Sequence, residues 1–546
     1  MKFNTAVIQQ RTCDINSSGN ALESSLHLID LAVIEKPDLV VLPECIYPAY
    51  FLGLHGLGTS SIEKALSGLE KAISAFCSKA RQHKIYLIVG APEITVDCLY
   101  NSAYLIDPDG KVVGTARKSF LWHFDDKWFS PGTDYPVFET ALGKIGIIIC
   151  NDGRQPEISR TLALKGAQVI VDVTNWVTSG SNPSKLSNPQ YEYILPSRAV
   201  ENRVWYIAAN KVGIEAESIV CCGKSCIISP TGYELAVASS DQEEIITAEI
   251  DLSLSDNKQL NPEFDVFKGR KPQLYSLLED SHELPVTKFL QEKVVPSELS
   301  VFASSVQLQD DLDFAGFVNK LEKIVPMMAS QYSKLLVFPE LPCLYGDEAA
   351  ESLPSMAVAL AKKHGVALVL STAQQREFKK VKVGFLTLPT GEQYFTDKCH
   401  LDTSELQHFT CGTKQTVFET PFGRLGIMMG YEGLIPEVAR GLMLQGTDMI
   451  CWMTNFSSDY HRLFARTRAA ENKVFLVTSN VWGYSGCGLS LIVNPGGNII
   501  ASAFPEGDQI ISSQLELVLS RNKSVVPGTD LVKHRQPEVY GKVTEV

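Results

Sequence analysis

The sequence predicts an α/β fold in two related halves, and three observations support this. Short runs rich in Val and Ile, such as NTAVIQ, DLVVLP and IGIIIC, have the length of buried strands. Between several of them lie stretches such as residues 61–83, whose apolar residues recur near a spacing of 3.6, as in amphipathic helices. Segments of the first half also recur in the second. Strands that are apolar throughout need cover on both faces, so we expect helices outside and sheets inside. The periodicity leaves open whether each half has one sheet or two.

Six segments of the chain occur twice in the same order. The pairs are PDLVVLPE and KLLVFPE, GKIGIIIC and GRLGIMMG, VTNW and MTNF, RAVENRVWYIAANKVG and RAAENKVFLVTSNVWG, SPTG and NPGG, and FKGRKPQLY and VKHRQPEVY. Conserved order with small drifts in spacing predicts a tandem duplication. We expect halves at residues 1–280 and 297–546, joined by a polar, Pro-bounded connector at 281–296. Because the connector is not rich in Gly and Ser, we expect packed and not freely tethered halves.

Composition and charge exclude several classes of protein. A net charge of −13 argues against nucleic acid or an anionic membrane as partner. The 13 cysteines lack paired spacing, which argues against a zinc site or a disulfide framework. We interpret the amino-terminal MKFNTAVIQQ as a first strand and not a signal peptide, and no apolar run is long enough to span a membrane. We therefore expect a cytoplasmic protein.

Polar residues that could carry chemistry follow several of the apolar runs. Glu44 follows VVLP, Cys150 follows IGIII and Asn175 follows VIVDVT, while Lys118 follows an apparent hairpin with the turn DPDG at 107–110. Open α/β sheets build their sites where strands end. Taken singly, each residue also fits an ordinary role: a core thiol, a solvated strand end or cap, a surface lysine.

The second half supplies a comparison for these residues. Glu340 and Lys398 stand at the positions matching Glu44 and Lys118, whereas Cys150 is replaced by Gly430. Loss of a thiol without an apolar replacement is unlike drift in a packed core. The sequence therefore predicts that Cys150 is a nucleophile and that the second half has lost its own.

Several motifs of the chain resemble those of the nitrilase superfamily, the carbon–nitrogen hydrolases with a Glu-Lys-Cys triad. They are LPE at 42–44, RK at 117–118, HFDDKWFSPG at 123–132, ICNDGRQPE at 149–157, GA at 166–167, TNW at 174–176 and RAVENRVWYIAAN at 198–210. The resemblance implies a tandem pair of four-layer α-β-β-α sandwich domains that form an intrachain pseudo-dimer. It leaves further self-association open.

The resemblance also implies roles for the triad. Glu44 would be the general base, and Lys118 with the backbone N–H of Asn151 would stabilise the oxyanion that forms when Cys150 attacks. No metal or organic cofactor is expected.

A second active-site Glu usually follows the Lys in this family. The HFDDKWFSPG match places Asp125 there, with Asp126 as the rival, and the second half has Glu405 at the matching place. Asp125 would orient Lys118 and the substrate amide.

The substrate is less sharply indicated. CNDGRQPE, GKSCIISPTG and FKGRKPQLY most resemble N-carbamoyl-D-amino acid amidohydrolases, which carry two adjacent arginines after Cys-Asn-Asp. Here the first is Gly153, as in a Cys-x-Asp-Gly turn closer to the aliphatic amidases, and Arg154 alone would bind a carboxylate if the substrate has one. Asn175 and Trp176 would line the pocket, although a strand-end cap and a core aromatic fit them equally.

The resulting hypothesis is an enzyme that hydrolyses a small linear amide or N-carbamoyl compound through a Cys thioester and releases ammonia. A nitrilase or an acyl-transferring relative is the alternative within enzymes, but CND departs from the CWE pattern common in nitrilases. A non-catalytic scaffold or regulatory protein is the alternative of another class. Gly430 fits that alternative for the second half, and the residues around Cys150 oppose it for the first.

Overall fold

The computed structural model describes residues 1–50, 63–64, 66–178, 186–281, 284–292, 299–376, 379–458 and 460–545. Contacts divide the chain into two compact units. Unit 1 comprises Met1–Lys258 and Ser524–Val543, and unit 2 comprises Gln259–Lys523 and Thr544–Val546.

The units differ from the predicted halves in the placement of the repeated carboxyl-terminal segment. Its first copy, FKGRKPQLY at 267–275, belongs to unit 2, and its second, VKHRQPEVY at 532–540, belongs to unit 1. Each copy thus packs in the unit built from the other repeat. Sequence repetition shows that two segments are alike, but tertiary contacts decide where each one packs. Part of the predicted connector, residues 282–283 and 293–296, lies outside the described residues.

Unit 1 is built on two sheets. The strands of residues 1–258 are β1 (Lys2–Arg11), β2 (Leu39–Val41), β3 (Tyr86–Ile94), β4 (Leu99–Ile106), β5 (Val112–Arg117), β6 (Val137–Thr140), β7 (Gly143–Ile149), β8 (Val169–Val173), β9 (Trp205–Ala209), β10 (Lys211–Glu215), β11 (Ile219–Cys222), β12 (Cys226–Ile228), β13 (Glu234–Val237) and β14 (Glu244–Asp251). One sheet has the order β11-β10-β1-β2-β3-β4-β5, with β14 antiparallel to β1, and the other has the order β13-β12-β9-β8-β7-β6.

Helices cover the outer faces of these sheets. The main helices of unit 1 are Ser18–Ala32, Leu69–His83, Pro156–Leu164 and Leu195–Asn202, with a short one at Ser253–Asp256. The first two bury Leu28, Ile29 and Phe76 against side chains of β1, β2 and β3. The next two contact β7, β9 and β12 of the other sheet. The sheets contact each other through β1 with β9, β3 with β8, and β4 and β5 with β7, which gives the order α-β-β-α.

Unit 2 repeats this plan. Its strands are β15 (Gln259–Asn261), β16 (Phe264–Asp265), β17 (Ser300–Gln309), β18 (Leu335–Val337), β19 (Ala367–Arg376), β20 (Lys379–Thr387), β21 (Gln393–Asp397), β22 (Val417–Thr420), β23 (Gly423–Met429), β24 (Met449–Met453), β25 (Phe475–Ser479), β26 (Val481–Trp482), β27 (Leu491–Val493), β28 (Ile499–Ser502) and β29 (Gln509–Glu516). The two large sheets have the orders β21-β20-β19-β18-β17-β26 and β22-β23-β24-β25-β27-β28. The helices are Pro285–Gln291, Phe314–Ser330, Asp347–His364, Pro436–Leu444 and Tyr460–Asn472.

The core of unit 2 lies in two layers. One apolar cluster joins β17, β18 and β19 to β23, β24 and β25, so it fills the space between the sheets. A second joins the opposite face of the first sheet to the helices Phe314–Ser330 and Asp347–His364. The remaining strands, β30 (Ser524–Val526) and β31 (Thr529–Asp530), form a hairpin in the segment that belongs to unit 1, and a last helix spans Gly541–Thr544.

The fold class predicted from the sequence is confirmed, and the structure adds what periodicity left open: each unit has two large sheets. The hairpin before Lys118 is also confirmed, since β4 pairs antiparallel with β5 and Gly110 turns the chain at φ 76°. The helix predicted at 61–83 is described from Leu69 to His83, and residues 61–62 and 65 lie outside the described residues. No helix in the described ranges is long and apolar enough to cross a membrane.

Candidate active site

Glu44 follows β2 and accepts two hydrogen bonds on one of its oxygens. Lys118 Nζ donates to Oε1 at 2.8 Å, and Asn101 Nδ2 donates to the same oxygen at 2.6 Å. All three side chains are buried. Oε2 is buried and has no hydrogen-bond partner among the described residues. The carboxylate is therefore fixed through one oxygen, and the other is free to accept a proton.

Lys118 bridges two buried carboxylates. Its Nζ lies 2.8 Å from Asp125 Oδ2 as well as from Glu44 Oε1. Burial disfavours the charged ammonium, but the Asp125 and Glu44 carboxylates outweigh it and hold the pKa of Lys118 well above its usual range. Lys118 is therefore a fixed positive charge at neutral pH.

The structure separates the two aspartates that the sequence left as rivals. Asp125 is buried, with Oδ2 also accepting from the Trp122 N–H at 2.9 Å and Oδ1 accepting from the Tyr50 hydroxyl. Asp126, the next residue of the same short turn, is exposed. Only Asp125 reaches Lys118, because successive residues of a tight turn point in different directions.

Cys150 is the first residue of a short 3₁₀ turn, Cys150–Arg154, that follows β7. Its backbone is left-handed, with φ at 50°, a conformation rare for residues other than glycine. The Cys150 N–H donates to Asp172 Oδ1 on β8 at 2.7 Å, which ties this sharp bend to the neighbouring strand. The side chain is almost buried, with 8% of the residue exposed.

The surroundings of Cys150 keep its thiol protonated. Burial raises the pKa of the thiol, and the Glu44 carboxylate raises it further, while Lys118 opposes both effects. Geometry at the matching position of unit 2 agrees with this, because a Cβ atom at Gly430 would lie 2.7 Å from Lys398 Nζ and 3.0 Å from Glu340 Oε2. A thiol in this state needs a base when it reacts, because the thiolate is the nucleophilic form.

Asp152 joins the bend at Cys150 to the segment that follows Lys118. Its Oδ1 accepts from the backbone N–H groups of Ser119 at 3.1 Å and Phe120 at 2.8 Å, and its Oδ2 accepts from the Ile149 N–H at 3.0 Å. Burial raises the pKa of this carboxyl group to about 6. One buried side chain thus holds the segments carrying the lysine and the thiol in register.

Asn151 and Arg154 lie on the same turn. Asn151 is buried, and its Nδ2 donates to the carbonyl oxygens of Phe120 and Leu121. The Arg154 guanidinium lies 5.5 Å from the Trp122 ring centroid and contacts no carboxylate of the described residues, and its Nε is buried without a hydrogen-bond partner. A guanidinium in this state is suited to an anionic group brought by a ligand.

Asn175 and Trp176 follow β8. Asn175 Nδ2 donates to Glu215 Oε2 at 3.0 Å, and its Oδ1 accepts from the Cys221 thiol. Trp176 is buried, and its backbone N–H donates to Asn210 Oδ1 at 2.7 Å. Both are thus anchored in unit 1, and their part in lining a pocket stays a prediction.

Unit 2 keeps the charged residues and lacks the sulfur. Lys398 Nζ lies 3.1 Å from Glu340 Oε1 and 2.6 Å from Glu405 Oε1, as Lys118 lies between its two acids. Lys382 adds a second ammonium, 3.2 Å from Glu340 Oε1 and 2.6 Å from Glu405 Oε1. Gly430 has the left-handed φ of Cys150, also 50°. Unit 2 therefore keeps the left-handed bend and lacks the cysteine side chain.

Sequence reasoning missed four residues of the site in unit 1: Tyr50, Asn101, Asp152 and Asp172. Asp172 carried a signal, since a carboxylate inside the apolar run VIVDV is rarely buried without a partner. Asp152 lay within the quoted motif ICNDGRQPE. Among the described residues no group of three or more His, Cys, Asp or Glu side chains is arranged to hold a metal ion.

Comparison with known proteins identifies the family of the chain. The family model named carbon-nitrogen hydrolase matches residues 4–257 and again residues 302–522. The chain therefore belongs to the carbon-nitrogen hydrolase family, and it carries the family's domain twice.

Individual relatives are similar to about half of the chain. A protein named nitrilase from Pyrococcus abyssi is 36% identical over 249 residues, which are 45% of this chain and 90% of the relative. An omega-amidase from Danio rerio is 30% identical over 287 residues, 50% of this chain and 97% of the relative. An N-carbamoylputrescine amidase from Oryza sativa subsp. japonica is 27% identical over 289 residues, 51% of this chain and 94% of the relative.

One solved structure is also similar to part of the chain. The crystal structure of a carbon-nitrogen hydrolase from Helicobacter pylori G27 is 27% identical and covers 47% of this chain and 91% of its own, with a TM-score of 0.43.

Proposed function

We propose that unit 1 hydrolyses the C–N bond of a small linear amide or N-carbamoyl compound through a thioester on Cys150, with release of ammonia. One observation carries the proposal: Glu44, Lys118 and Asp125 form a buried charged cluster, two of whose members act electrostatically on the Cys150 thiol, which stands on a left-handed bend. The similarity to relatives named omega-amidase and N-carbamoylputrescine amidase supports the same class of reaction.

Glu44 acts as the base in this proposal. Its Oε2 takes the Cys150 proton as the sulfur attacks the carbonyl carbon, because the raised pKa of the thiol leaves little preformed thiolate. The same carboxyl group then gives the proton to the departing amine. It next removes a proton from the water that attacks the thioester carbonyl, and it gives that proton to the sulfur as the C–S bond breaks, which releases the carboxylic acid and returns Cys150 and Glu44 to their starting forms.

Lys118 and a backbone amide stabilise the oxyanion of the tetrahedral intermediate. The Cys150 N–H already donates to Asp172, so the next amide of the bend, that of Asn151, is the donor assigned here. Fixed donors of this kind are worth about 100- to 1000-fold in rate each. Asp125 keeps Lys118 in place between the two carboxylates.

Arg154 selects substrates that carry a carboxylate. Its guanidinium has no carboxylate partner among the described residues, and the matching residue in unit 2 is Leu434. Amides or N-carbamoyl compounds with a carboxylate are therefore the substrates proposed first.

The test is an ammonia-release screen of N-carbamoyl amino acids of both hands, aliphatic amides with and without a carboxylate, and nitriles. Cys150→Ala is expected to abolish release while the circular dichroism spectrum and thermal midpoint change little, since a small side chain is removed at one bend. Cys226→Ala, which removes another buried thiol of unit 1, is the control and should keep activity. Turnover by Cys150→Ala equal to that of the unmodified protein would refute the proposal.

Nitrile hydrolysis is the second candidate, favoured by the relative named nitrilase. The same screen separates the two reactions, because an amidase leaves nitriles unchanged.

A further inference from the structure

A second buried ion pair lies beside the site in unit 1. Lys211 and Glu215 stand four residues apart on β10, with Lys211 Nζ 3.2 Å from Glu215 Oε1, and both side chains are almost fully buried. Burying two charges costs free energy that the pair does not always recover, so a buried pair is weak evidence for stability. Its contacts indicate another role.

Those contacts go to the segments that carry active-site residues. Lys211 Nζ donates to the carbonyl oxygen of Cys45, the residue after Glu44, at 3.1 Å. Glu215 Oε1 accepts from the Tyr50 N–H at 2.9 Å, and Oε2 accepts from Asn175 Nδ2 at 3.0 Å. The pair thus holds both ends of the segment 45–50, which runs on from the proposed base.

Tyr50 continues the chain of contacts into the charged cluster. Its hydroxyl donates to Asp125 Oδ1, and Asp125 Oδ2 contacts Lys118 Nζ. A continuous path therefore runs from Glu215 through Tyr50 and Asp125 to Lys118.

Unit 2 lacks this pair. The aligned segments AANKVG and TSNVWG place Val481 at the position of Lys211, and Ser485 at that of Glu215. The Ser485 hydroxyl donates to Asp310 instead. Unit 2 nevertheless folds and keeps Lys398 between its two glutamates, so the fold does not require the pair. Unit 1 thus has both the buried pair and the Cys150 thiol, and unit 2 has neither at the matching positions.

We propose that Lys211 and Glu215 are positioning residues that set Tyr50, and through it Asp125 and Lys118, for the reaction at Cys150. This inference rests on the proposed function for its kinetic readout. The geometry predicts that losing the charge of Glu215 shifts the reacting groups without altering the surface that binds substrate, because neither residue is exposed.

The principal variant is Glu215→Gln, which keeps the shape of the side chain. Its kcat is expected to fall about tenfold or more with KM within about twofold, since small displacements of reacting groups act on the chemical step. Tyr50→Phe is expected to act in the same direction. If Glu215 acts through Tyr50, the double variant is no slower than the slower single one. If the double variant instead loses kcat by the product of the two single losses, the two residues act independently, which would overturn the proposal.

A second readout does not depend on the substrate. Iodoacetamide alkylation of Cys150, followed by mass spectrometry at several pH values, is expected to slow in Glu215→Gln, because the base is displaced from the thiol. Equal alkylation rates and equal kcat in the two proteins would refute the positioning role. If the unmodified protein releases ammonia from no compound, the proposed function fails, while the alkylation rates still test the positioning role.

Two further variants test whether a general loss of stability, and not the positioning role, explains a fall in kcat. Glu471→Gln removes one partner of the buried Arg468–Glu471 pair of unit 2, whose atoms lie 2.6 Å apart, and is expected to leave kcat and alkylation unchanged. If Glu215→Gln does not fold, Lys211→Met combined with Glu215→Gln removes both charges and leaves no unpaired one. The combined variant is expected to fold with the same loss of kcat, and full activity in it would overturn the proposal.

Discussion

At the scale of single residues, the site of unit 1 depends on one ammonium shared by two carboxylates. Lys118 satisfies one oxygen each of Glu44 and Asp125, and Asn101 and Tyr50 supply neutral donors to them. One Glu44 oxygen is left without a donor in the described part of the chain. The arrangement keeps the lysine charged and leaves one Glu44 oxygen incompletely bonded, as the acid–base role proposed for Glu44 requires.

A prediction at this scale concerns Arg154. Arg154→Leu copies the residue at 434 in unit 2 and removes the guanidinium while keeping an apolar side chain of moderate size. For amides that carry a carboxylate we expect KM to rise about 10- to 100-fold, since hydrogen bonds between charged groups contribute about 1.5–3 kcal/mol. Neutral amides of the same length are the control and should change little. Equal changes for both substrate classes would remove the role assigned to Arg154.

Gly430 gives a second prediction. A Cβ atom there would lie 2.7 Å from Lys398 Nζ and 3.0 Å from Glu340 Oε2, and both groups are held by their mutual ion pair. Gly430→Cys is therefore expected to destabilise unit 2 by about 1–3 kcal/mol, the usual cost of overpacking. Introduced into Cys150→Ala, it should restore no ammonia release.

The control for this experiment is Gly430→Cys in the otherwise unmodified chain, which should keep the activity of unit 1. Measurable release by the Cys150→Ala, Gly430→Cys protein would show that unit 2 had lost only a sulfur and not the space for it.

At the scale of elements, the bend after β7 is fixed from two sides. Asp172 on β8 holds the N–H of Cys150, and Asp152 within the bend holds the backbone after β5. In unit 2, Glu432 accepts from the N–H groups of Cys399 and Met429 as Asp152 does, whereas Trp452 replaces Asp172 and donates to the Gly430 carbonyl. A carboxylate therefore links the lysine segment to the bend in both units, Asp152 in unit 1 and Glu432 in unit 2. The Asp172 carboxylate, which holds the N–H of Cys150, has no counterpart at the matching position of unit 2.

The prediction at this scale concerns Asp152. Asp152→Ala leaves the buried N–H groups of Ser119, Phe120 and Ile149 without their acceptor, and we expect unit 1 to lose about 2–4 kcal/mol near pH 4. Because burial raises the pKa of this carboxyl to about 6, the folded protein binds its proton more tightly than the unfolded chain. The contribution of Asp152 is therefore complete below about pH 4 and declines as the pH rises through about 6.

Urea unfolding of both proteins between pH 4 and pH 7 measures this effect. The stability difference between them should narrow as the pH rises. A difference that widens with pH would contradict the assigned direction of the pKa shift.

At the scale of the whole molecule, each unit includes a segment that follows the opposite repeat in the chain. In unit 1 the segment 524–543 is held by specific bonds: His123 donates its N–H to Thr529 Oγ1 at 2.8 Å, and Gln155 Nε2 donates to the Leu531 carbonyl. His123 and Gln155 flank the segments that carry Asp125 and Cys150. The segment 524–543 therefore contacts residues next to those of the candidate site in unit 1.

Deletion of residues 524–546 tests this arrangement. We expect ammonia release to be lost or greatly reduced, and the amides of β2 (Leu39–Val41) in unit 1 to exchange faster with solvent, because unit 1 loses a packed segment. The amides of β18 (Leu335–Val337) in unit 2 are the internal control and should exchange at nearly unchanged rates. Faster exchange confined to β18 would instead favour the uninterrupted halves 1–280 and 297–546.

Sequence by itself determined the duplication and the α/β class, and it predicted Glu44, Lys118 and Cys150 as candidate site residues, because these follow from repetition, hydrophobic spacing and strand ends. Asp125 came from the family resemblance, with Asp126 as its rival. Tertiary structure alone decided which aspartate reaches Lys118, where each carboxyl-terminal segment packs, and that Tyr50, Asp172 and the Lys211–Glu215 pair join the site. The partners of these groups lie far along the chain, and the Glu215 carboxylate reaches the Tyr50 N–H only when β1, β2 and β10 assemble into one sheet. Hydrophobic periodicity in the sequence indicates which face of an element is buried. A contact between two residues far apart in the chain depends on the register and direction of the strands in the assembled sheets.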